Sequence, residues 1–295
     1  MKIGVIGTGL MGSQIAIRLV QKGHEVSVYN RDRTKSERLR ELGLLVTEKP
    51  AEIGRICDFA LICVKDYEAV SNVSFEKNGL IENPNKDLIV WQSSTISPDE
   101  SHRLVDLFSS NGIKLVSVPI VGGVSAARRG ELILIVSGSK SDYDKSLPVL
   151  RDLSKEVFYV GQDHGSSSTL KLAININISL IAIALAEGLV LVRGKNIDPN
   201  IFVRILNSTY FKTGISENKG PKITHDEYPA SFSLDNMVKD LNLALRTAQN
   251  SGLTLPTTAS AHAVYRATQV IGFSDMDYTS VALFLLNLNG YKGFR

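Results

Sequence analysis

The sequence predicts an α/β fold, a doubly wound parallel sheet followed by an all-α domain. Three observations predict it. Short β-rich runs alternate with helical ones through the first half. A Gly-x-Gly-x-x-Gly run follows the first strand directly and opens the first helix. After Gly161 the strand signal vanishes and only helical spacing remains. A chain of 295 residues is enough for about two domains, and residues 1–162 and 163–295 are the predicted division.

The elements follow in order. Lys2–Ile6 reads as a strand and Leu10–Lys22 as a helix with Ile15, Leu19 and Val20 on one face. Glu25–Tyr29 is a strand, and Thr34–Leu42 a charged helix. Phe59–Val64 and Leu88–Gln92 are further strands. Ser97 and Pro98 open a helix as N-cap and first-turn residue. Ile113–Val118 and Leu132–Val136 complete the sheet, with Val157–Val160 as an edge. A long apolar helix begins near Ser167. Pro199–Leu206, Leu234–Gln249, Pro256–Ile271 and Thr279–Leu288 are helical, and Lys212–Ser231 is a polar loop.

Composition narrows the function. An apolar fraction of 43% and a charged fraction of 21% are those of a globular protein, not a fibre or a disordered chain. Thirty-three basic against 30 acidic residues, scattered along the chain, do not describe a nucleic-acid binder, although a pI of 8.7 leaves room for a local anion site. Cys57 and Cys63 flank a strand of roughly 20 Å, too long for a disulfide. With no secretory signal at Met1–Gly12, two reduced core thiols predict a cytoplasmic protein. The run from Leu172 to Val192 carries one charge, Glu187. Asn175, Asn177 and Ser179 would be costly in lipid, so the expectation is a helix at the centre of a large core rather than a membrane span. No Cys/His spacing suggests a metal.

Gly7, Thr8, Gly9, Leu10, Met11 and Gly12 form a dinucleotide fingerprint in its required setting, a Rossmann βαβ unit. Gly7 makes the tight turn, Gly9 lets the backbone approach a pyrophosphate, and Gly12 lets helix and strand pack closely. The helix N-terminus offers free N–H groups and partial positive charge to the phosphates. An NAD site wants a carboxylate at the end of the second strand; here the strand ends at Asn30, followed by Arg31. A guanidinium can grip a 2′-phosphate through paired hydrogen bonds, so NADP is the expected cofactor, with NAD possible. Asp32 stands two residues late, where the chain turns away.

Three further runs carry chemistry: Ser117 to Gly123, Gly165 to Asn175, and Met237 to Leu241. With the fingerprint they resemble the β-hydroxyacid dehydrogenase family, relatives of 3-hydroxyisobutyrate and 6-phosphogluconate dehydrogenases, over essentially the whole chain. The resemblance implies a helical domain joined through one long helix, with the active site in the cleft between the domains. It implies Lys171 as catalytic lysine and Asn175 as its helper, on one helix face at i and i+4. Gly122 and Gly123 would hold the substrate carboxylate through backbone N–H groups. Lys239 would lie near the nicotinamide with Asp240 as its neighbour, Ser94 would touch substrate, and Thr95, Val64 and Lys65 would line the cofactor.

Lysine suits this chemistry. Oxidising an alcohol sends a hydride to the nicotinamide and a proton to a base, and reduction reverses both. A lysine near its ordinary pKa of about 10.4 is a poor base at pH 7, but burial and a cationic ring nearby lower it. Two residues depart from the family pattern. Val121 replaces a serine and Ser117 an aspartate, which makes the expected substrate pocket more apolar. Arg128 and Arg129 read as solvated, and His164, bordering the lysine motif, is assigned no catalytic role. The predicted function is an NADP-preferring oxidoreductase interconverting a small β-hydroxy acid and an aldehyde acid. The Asn30–Arg31 pair resembles the glyoxylate and succinic semialdehyde reductase branch. An imine reductase, which generally lacks the lysine, and a non-catalytic NADP-binding protein are the rivals. The apolar helices Leu172–Val192 and Thr279–Leu288 suggest subunit contact in a homodimer or homotetramer.

Overall fold

The computed structural model describes residues 1–294. The chain divides into two compact units, Met1–Lys171 and Leu172–Arg295.

The first unit runs β1 (Lys2–Ile6), α1 (Leu10–Gln21), β2 (Glu25–Tyr29), α2 (Thr34–Glu37), β3 (Leu45–Val46), α3 (Pro50–Ile56), β4 (Phe59–Ile62), α4 (Tyr67–Phe75), β5 (Ile89–Gln92), α5 (Pro98–Ser110) and β6 (Lys114–Ser117). These six strands form one parallel sheet in the order β3-β2-β1-β4-β5-β6. Alternate side chains go to opposite faces. Ile3, Val5, Phe59, Leu61, Ile89 and Trp91 join one core, while Ile6, Ala60, Ile62 and Val90 join the other. Burial on both faces explains why these strands read as nearly continuous apolar runs. Strand order reverses between β1 and β4, the point where open α/β sheets leave a crevice at the strand ends.

β7 (Ile120–Val121), α6 (Val124–Arg129), β8 (Leu132–Val136), α7 (Lys140–Leu153) and β9 (Ser154–Tyr159) follow. The expectation that the last strands extend the same sheet is corrected here. They form a separate three-stranded sheet, β7-β8-β9, with β7 antiparallel to β8. An isolated bridge, Ser117 to Ser137, links it to β6. The helix expected over Thr34–Leu42 also breaks, resuming as a 3-10 turn at Arg40–Leu42 that ends on left-handed Gly43. α7 escapes a sequence reading because Pro148 lies in its interior. It forms nonetheless, because Tyr143, Val149, Leu150 and Leu153 bury one face. The predicted cap of α5 is present: Ser97 accepts from the Glu100 amide, and Glu100 reaches back to the Ser97 amide. Cys57 is buried, Cys63 is half-buried, and both are free thiols. Burial pushes each thiol up to about 11.

α8 (His164–Gly194) begins three residues earlier than expected and runs from the first unit into the second. It is followed by α9 (Pro199–Asn207), α10 (Gly214–Asn218), α11 (Gly220–Thr224), α12 (Leu234–Asn250), α13 (Pro256–Thr268) and α14 (Val281–Leu288). The stretch expected as a loop thus holds two short helices, α10 being capped by Thr213. α13 stops at Thr268 and passes into a π-helical turn, Gln269–Phe273, bent at left-handed Gly272.

The core expectation for the long helix is also corrected. α8 is not closed on all sides within the chain. It buries one stripe, Leu172, Asn175, Ser179, Ala182, Ala186 and Leu189, at alternating spacings of three and four. Ala182, Ala186 and Leu189 pack in the second unit's core with Val203, Met237 and Leu241. α8 is long and apolar enough to cross a membrane by length and composition, but this stripe is an ordinary packing face. α14 is less open than its composition suggests, since Val281, Ala282 and Leu286 are buried and Leu288 is exposed.

Candidate active site

The glycine turn sits at the topological switch. Gly7 has φ +98°, and a Cβ there would lie 2.3 Å from the Cys63 carbonyl oxygen. At Gly12 a Cβ would lie 1.9 Å from the Gly7 carbonyl oxygen, so the start of α1 can close on the turn only without a side chain. Nothing lies within 4 Å of a Cβ at Gly9, which caps α1 with no side-chain hydrogen bond. The first turn of α1 carries no acidic residue. Leu10 is exposed and Met11 half-buried. Open space over bare N–H groups at a helix N-terminus fits a pyrophosphate, so these residues fit a dinucleotide. Gly12→Ala is expected to cost about 1–3 kcal/mol of stability by overpacking. It should also weaken dinucleotide binding roughly tenfold or more. Thermal melts with and without NADPH check both.

The end of β2 is tied to this turn. Asn30 Oδ1 accepts from the Thr8 amide at 3.1 Å, and its Nδ2 donates to the Asp32 carbonyl at 2.8 Å. Both ends of the carboxamide are therefore engaged with backbone. Arg31 is exposed and forms no hydrogen bond or ion pair among the described residues. Arg33 is held by Glu37 at 2.7 Å and Glu48 at 3.0 Å. Thr34 donates both its hydroxyl and its amide to Asp32, which holds that carboxyl below the usual range. Arg31 is thus a cation at this strand end with no acidic partner among the described residues.

Beside β4 and β5, Ser94 is buried and accepts from the Val64 amide at 3.0 Å, leaving its O–H proton to offer. Val64 and Thr95 are half-buried, and Lys65 is exposed. Gly122 has φ +137°, and Gly123 caps α6 with open space around it. Both are exposed. Val121 pairs across β7 and β8 with Ile133. Arg128 and Arg129 are exposed, and Arg129 is paired with Glu131 at 2.7 Å.

The first turns of α8 are held by a seam of hydroxyls. Ser117 Oγ lies 2.8 Å from His164 Nδ1. Ser137 lies 2.6 Å from Ser167, and Ser101 lies 2.7 Å from Ser168. Asp163 caps the helix, accepting from the Gly165 amide and the Ser166 hydroxyl, with His102 at 2.6 Å. Ser117 thus has a local partner that no spacing in the sequence announces. Burial pulls the His164 imidazole down to about 4. A histidine protonated more readily when unfolded makes stability rise with pH between about 4 and 6.5. His164→Asn is expected to lessen the rise of urea-denaturation stability across that window, the remainder being carried by His262, whose imidazole is also held below its usual value by burial. Asp163, held at about 2 chiefly by its bond to His102, acts only below the ordinary carboxylate range and leaves the window clear.

Lys171 is half-buried and stands one turn before Asn175 on α8. Within the second unit Asn175 is 3% exposed and donates through Nδ2 to Asp240 Oδ2 at 2.5 Å. Lys239 Nζ lies 3.0 Å from Asp240 Oδ1. The structure therefore joins Asn175 to Lys239 through Asp240, a residue the sequence reading named only as a neighbour. The available signal was Asp240 falling among Met237, Val238, Leu241 and Ala244, the buried apolar stripe of α12. A hollow of about 440 Å³ beside the start of α8 is lined by Pro98, His102, Asp163 and Leu170. Another of about 430 Å³ is lined by Glu187, Leu191, Leu285 and Tyr291. Neither hollow is lined by the candidate residues.

Two family models match. The NAD-binding domain of 6-phosphogluconate dehydrogenase matches residues 2–161. The NAD-binding domain of NADP-dependent 3-hydroxyisobutyrate dehydrogenase matches residues 165–285. The chain is 29% identical to glyoxylate/succinic semialdehyde reductase 1 of Arabidopsis thaliana, over 95% of this chain and 97% of that one. Its fold is similar to a 3-hydroxyisobutyrate dehydrogenase from Salmonella typhimurium, with a TM-score of 0.89 and 22% identity, over 96% of this chain and 99% of that one. It is similar also to Psf3, solved in complex with NADP+ and 2-OPP, with a TM-score of 0.90 and 25% identity over 96% and 99% of the two chains.

Proposed function

Because the chain belongs to the β-hydroxyacid dehydrogenase family and is an NAD(P)-dependent oxidoreductase acting on CH–OH groups, we propose that it prefers NADP and interconverts a small hydroxy acid and the corresponding aldehyde acid. The observation that carries this reading is the turn of α8 that sets Lys171 and Asn175 at i and i+4.

The nicotinamide supplies the hydride acceptor or donor when bound. The chain supplies the rest. The Gly7–Gly12 turn, with Val64, Lys65 and Thr95 beside it, would hold the dinucleotide, and Arg31 would hold a 2′-phosphate. Gly122 and Gly123 would offer backbone N–H groups to the substrate carboxylate, with Ser94 as a further donor. In oxidation the Lys171 amine takes the hydroxyl proton. In reduction its ammonium returns that proton to the carbonyl oxygen. Asn175 would orient the amine and the substrate oxygen, and Lys239 would lie on the nicotinamide side.

Likeness to the Arabidopsis reductase favours glyoxylate or succinic semialdehyde as a narrower second reading. The test is NADPH oxidation across a panel of small aldehyde acids, with NADP+ reduction by the matching hydroxy acids. Turnover of at least one member, with NADPH favoured over NADH, is expected; no turnover of any member would overturn the reading. Exposed Leu191 on α8, Ile201 and Ile205 on α9, and Ile197 just before α9 are read as subunit contacts of a homo-oligomer.

A further inference from the structure

We propose that Asp240 is a positioning residue that fixes Asn175 as a hydrogen-bond acceptor toward the reacting groups. This rests on the reading of Lys171 and Asn175 as the reaction's pair.

Asp240 is 1% exposed, on the apolar face of α12. A buried carboxylate is costly unless its oxygens are partnered. Here one faces the Lys239 ammonium at 3.0 Å and the other the Asn175 carboxamide at 2.5 Å. An ionised carboxylate only accepts, so the NH2 end of Asn175 must face Asp240. Its carbonyl end, Oδ1, is left to face away from Asp240.

That polarity has a chemical consequence. Oδ1 cannot donate to a substrate carbonyl. It can accept from the Lys171 ammonium or from the alcohol hydroxyl. In reduction the ammonium gives one proton to the carbonyl oxygen while a hydride is added to the carbonyl carbon. An acceptor one turn along α8 holds a second N–H of that ammonium, aims the transferred proton and favours the charged form. A carboxamide turned the other way would present N–H to N–H and oppose it.

Asp240→Asn removes the acceptor-only constraint and lets Asn175 turn. The test uses the full chain with NADPH and an aldehyde acid that is turned over, beside Lys171→Met. Asp240→Asn is expected to keep NADPH affinity, read by fluorescence, within a few-fold. Its kcat should fall roughly 10- to 100-fold, as for loss of one charge-assisted hydrogen bond. The alkaline limb of the kcat–pH profile should move to lower pH. The exchange variant Asn175→Asp with Asp240→Asn again places an acceptor-only group on α8 opposite an amide on α12. It is expected to recover at least tenfold of the lost kcat and to move the limb back. An Asp240→Asn enzyme with the wild-type limb and kcat overturns the inference. So does an exchange variant that binds NADPH but gains nothing over Asp240→Asn. Should Asp240→Asn not fold, the exchange variant decides: a folded exchange enzyme as slow as Lys171→Met overturns the inference. If Lys171→Met is itself active, the reading of the pair fails instead. If Lys171→Met is dead while Asp240→Asn is unchanged, only the role of Asp240 fails.

Discussion

Replacing Lys171 by methionine is expected to lower kcat by roughly 10²–10⁴, the usual worth of a positioned acid/base. Methionine keeps an unbranched stem of similar length and removes the proton-carrying amine. Lys171 is half-buried on a continuous helix whose start is held by the Ser137–Ser167 and Ser101–Ser168 contacts. The backbone therefore has no reason to shift. NADPH affinity by fluorescence titration should stay within a few-fold, because the glycine turn lies on other elements. Activity retained within a few-fold of wild type would remove lysine from the reaction.

Arg31→Ala is expected to raise the Kd for NADPH roughly 10- to 100-fold while leaving NADH nearly unchanged. The loss corresponds to charge-assisted hydrogen bonds at about 1.5–3 kcal/mol. Arg31 is singled out by its neighbours. Arg33 is engaged by Glu37 and Glu48, and Lys35 lies 3.7 Å from Asp32, while Arg31 forms no such pair among the described residues. Arg33→Ala should therefore change NADPH affinity much less. Equal losses for NADPH and NADH in Arg31→Ala would show that Arg31 does not read the 2′-phosphate. Titrations at two salt concentrations would separate a specific contact from general attraction.

Most of the first unit's frame is legible because its signals are local. β1, β2 and β8 match their predicted starts because each is a short, largely apolar run, and α1 because the glycine turn fixes its N-terminus. The missed elements are those whose stability comes from elsewhere. β3 is two residues long and exists through its pairing with β2. α7 carries Pro148 and is kept helical by its buried face. β7 follows Pro119 directly and becomes a strand by pairing with β8. At the site, the glycine turn and the Lys171–Asn175 spacing are written within a few residues of chain. The bonds from Asn30 to Thr8, from Ser117 to His164 and from Asn175 to Asp240 are not.

Where backbone must approach closely, and which side chains share a helix face, is written in the order of neighbouring residues. Steric need at a glycine and the 3.6-residue helical period act over one or two turns. Which polar group answers which is settled by the packing of elements far apart in the chain. Asn175 and Asp240 are 65 residues apart and meet because α8 and α12 bury complementary stripes in one core. In that core a carboxylate must find partners, and the partner it finds sets which end of the carboxamide is left for chemistry.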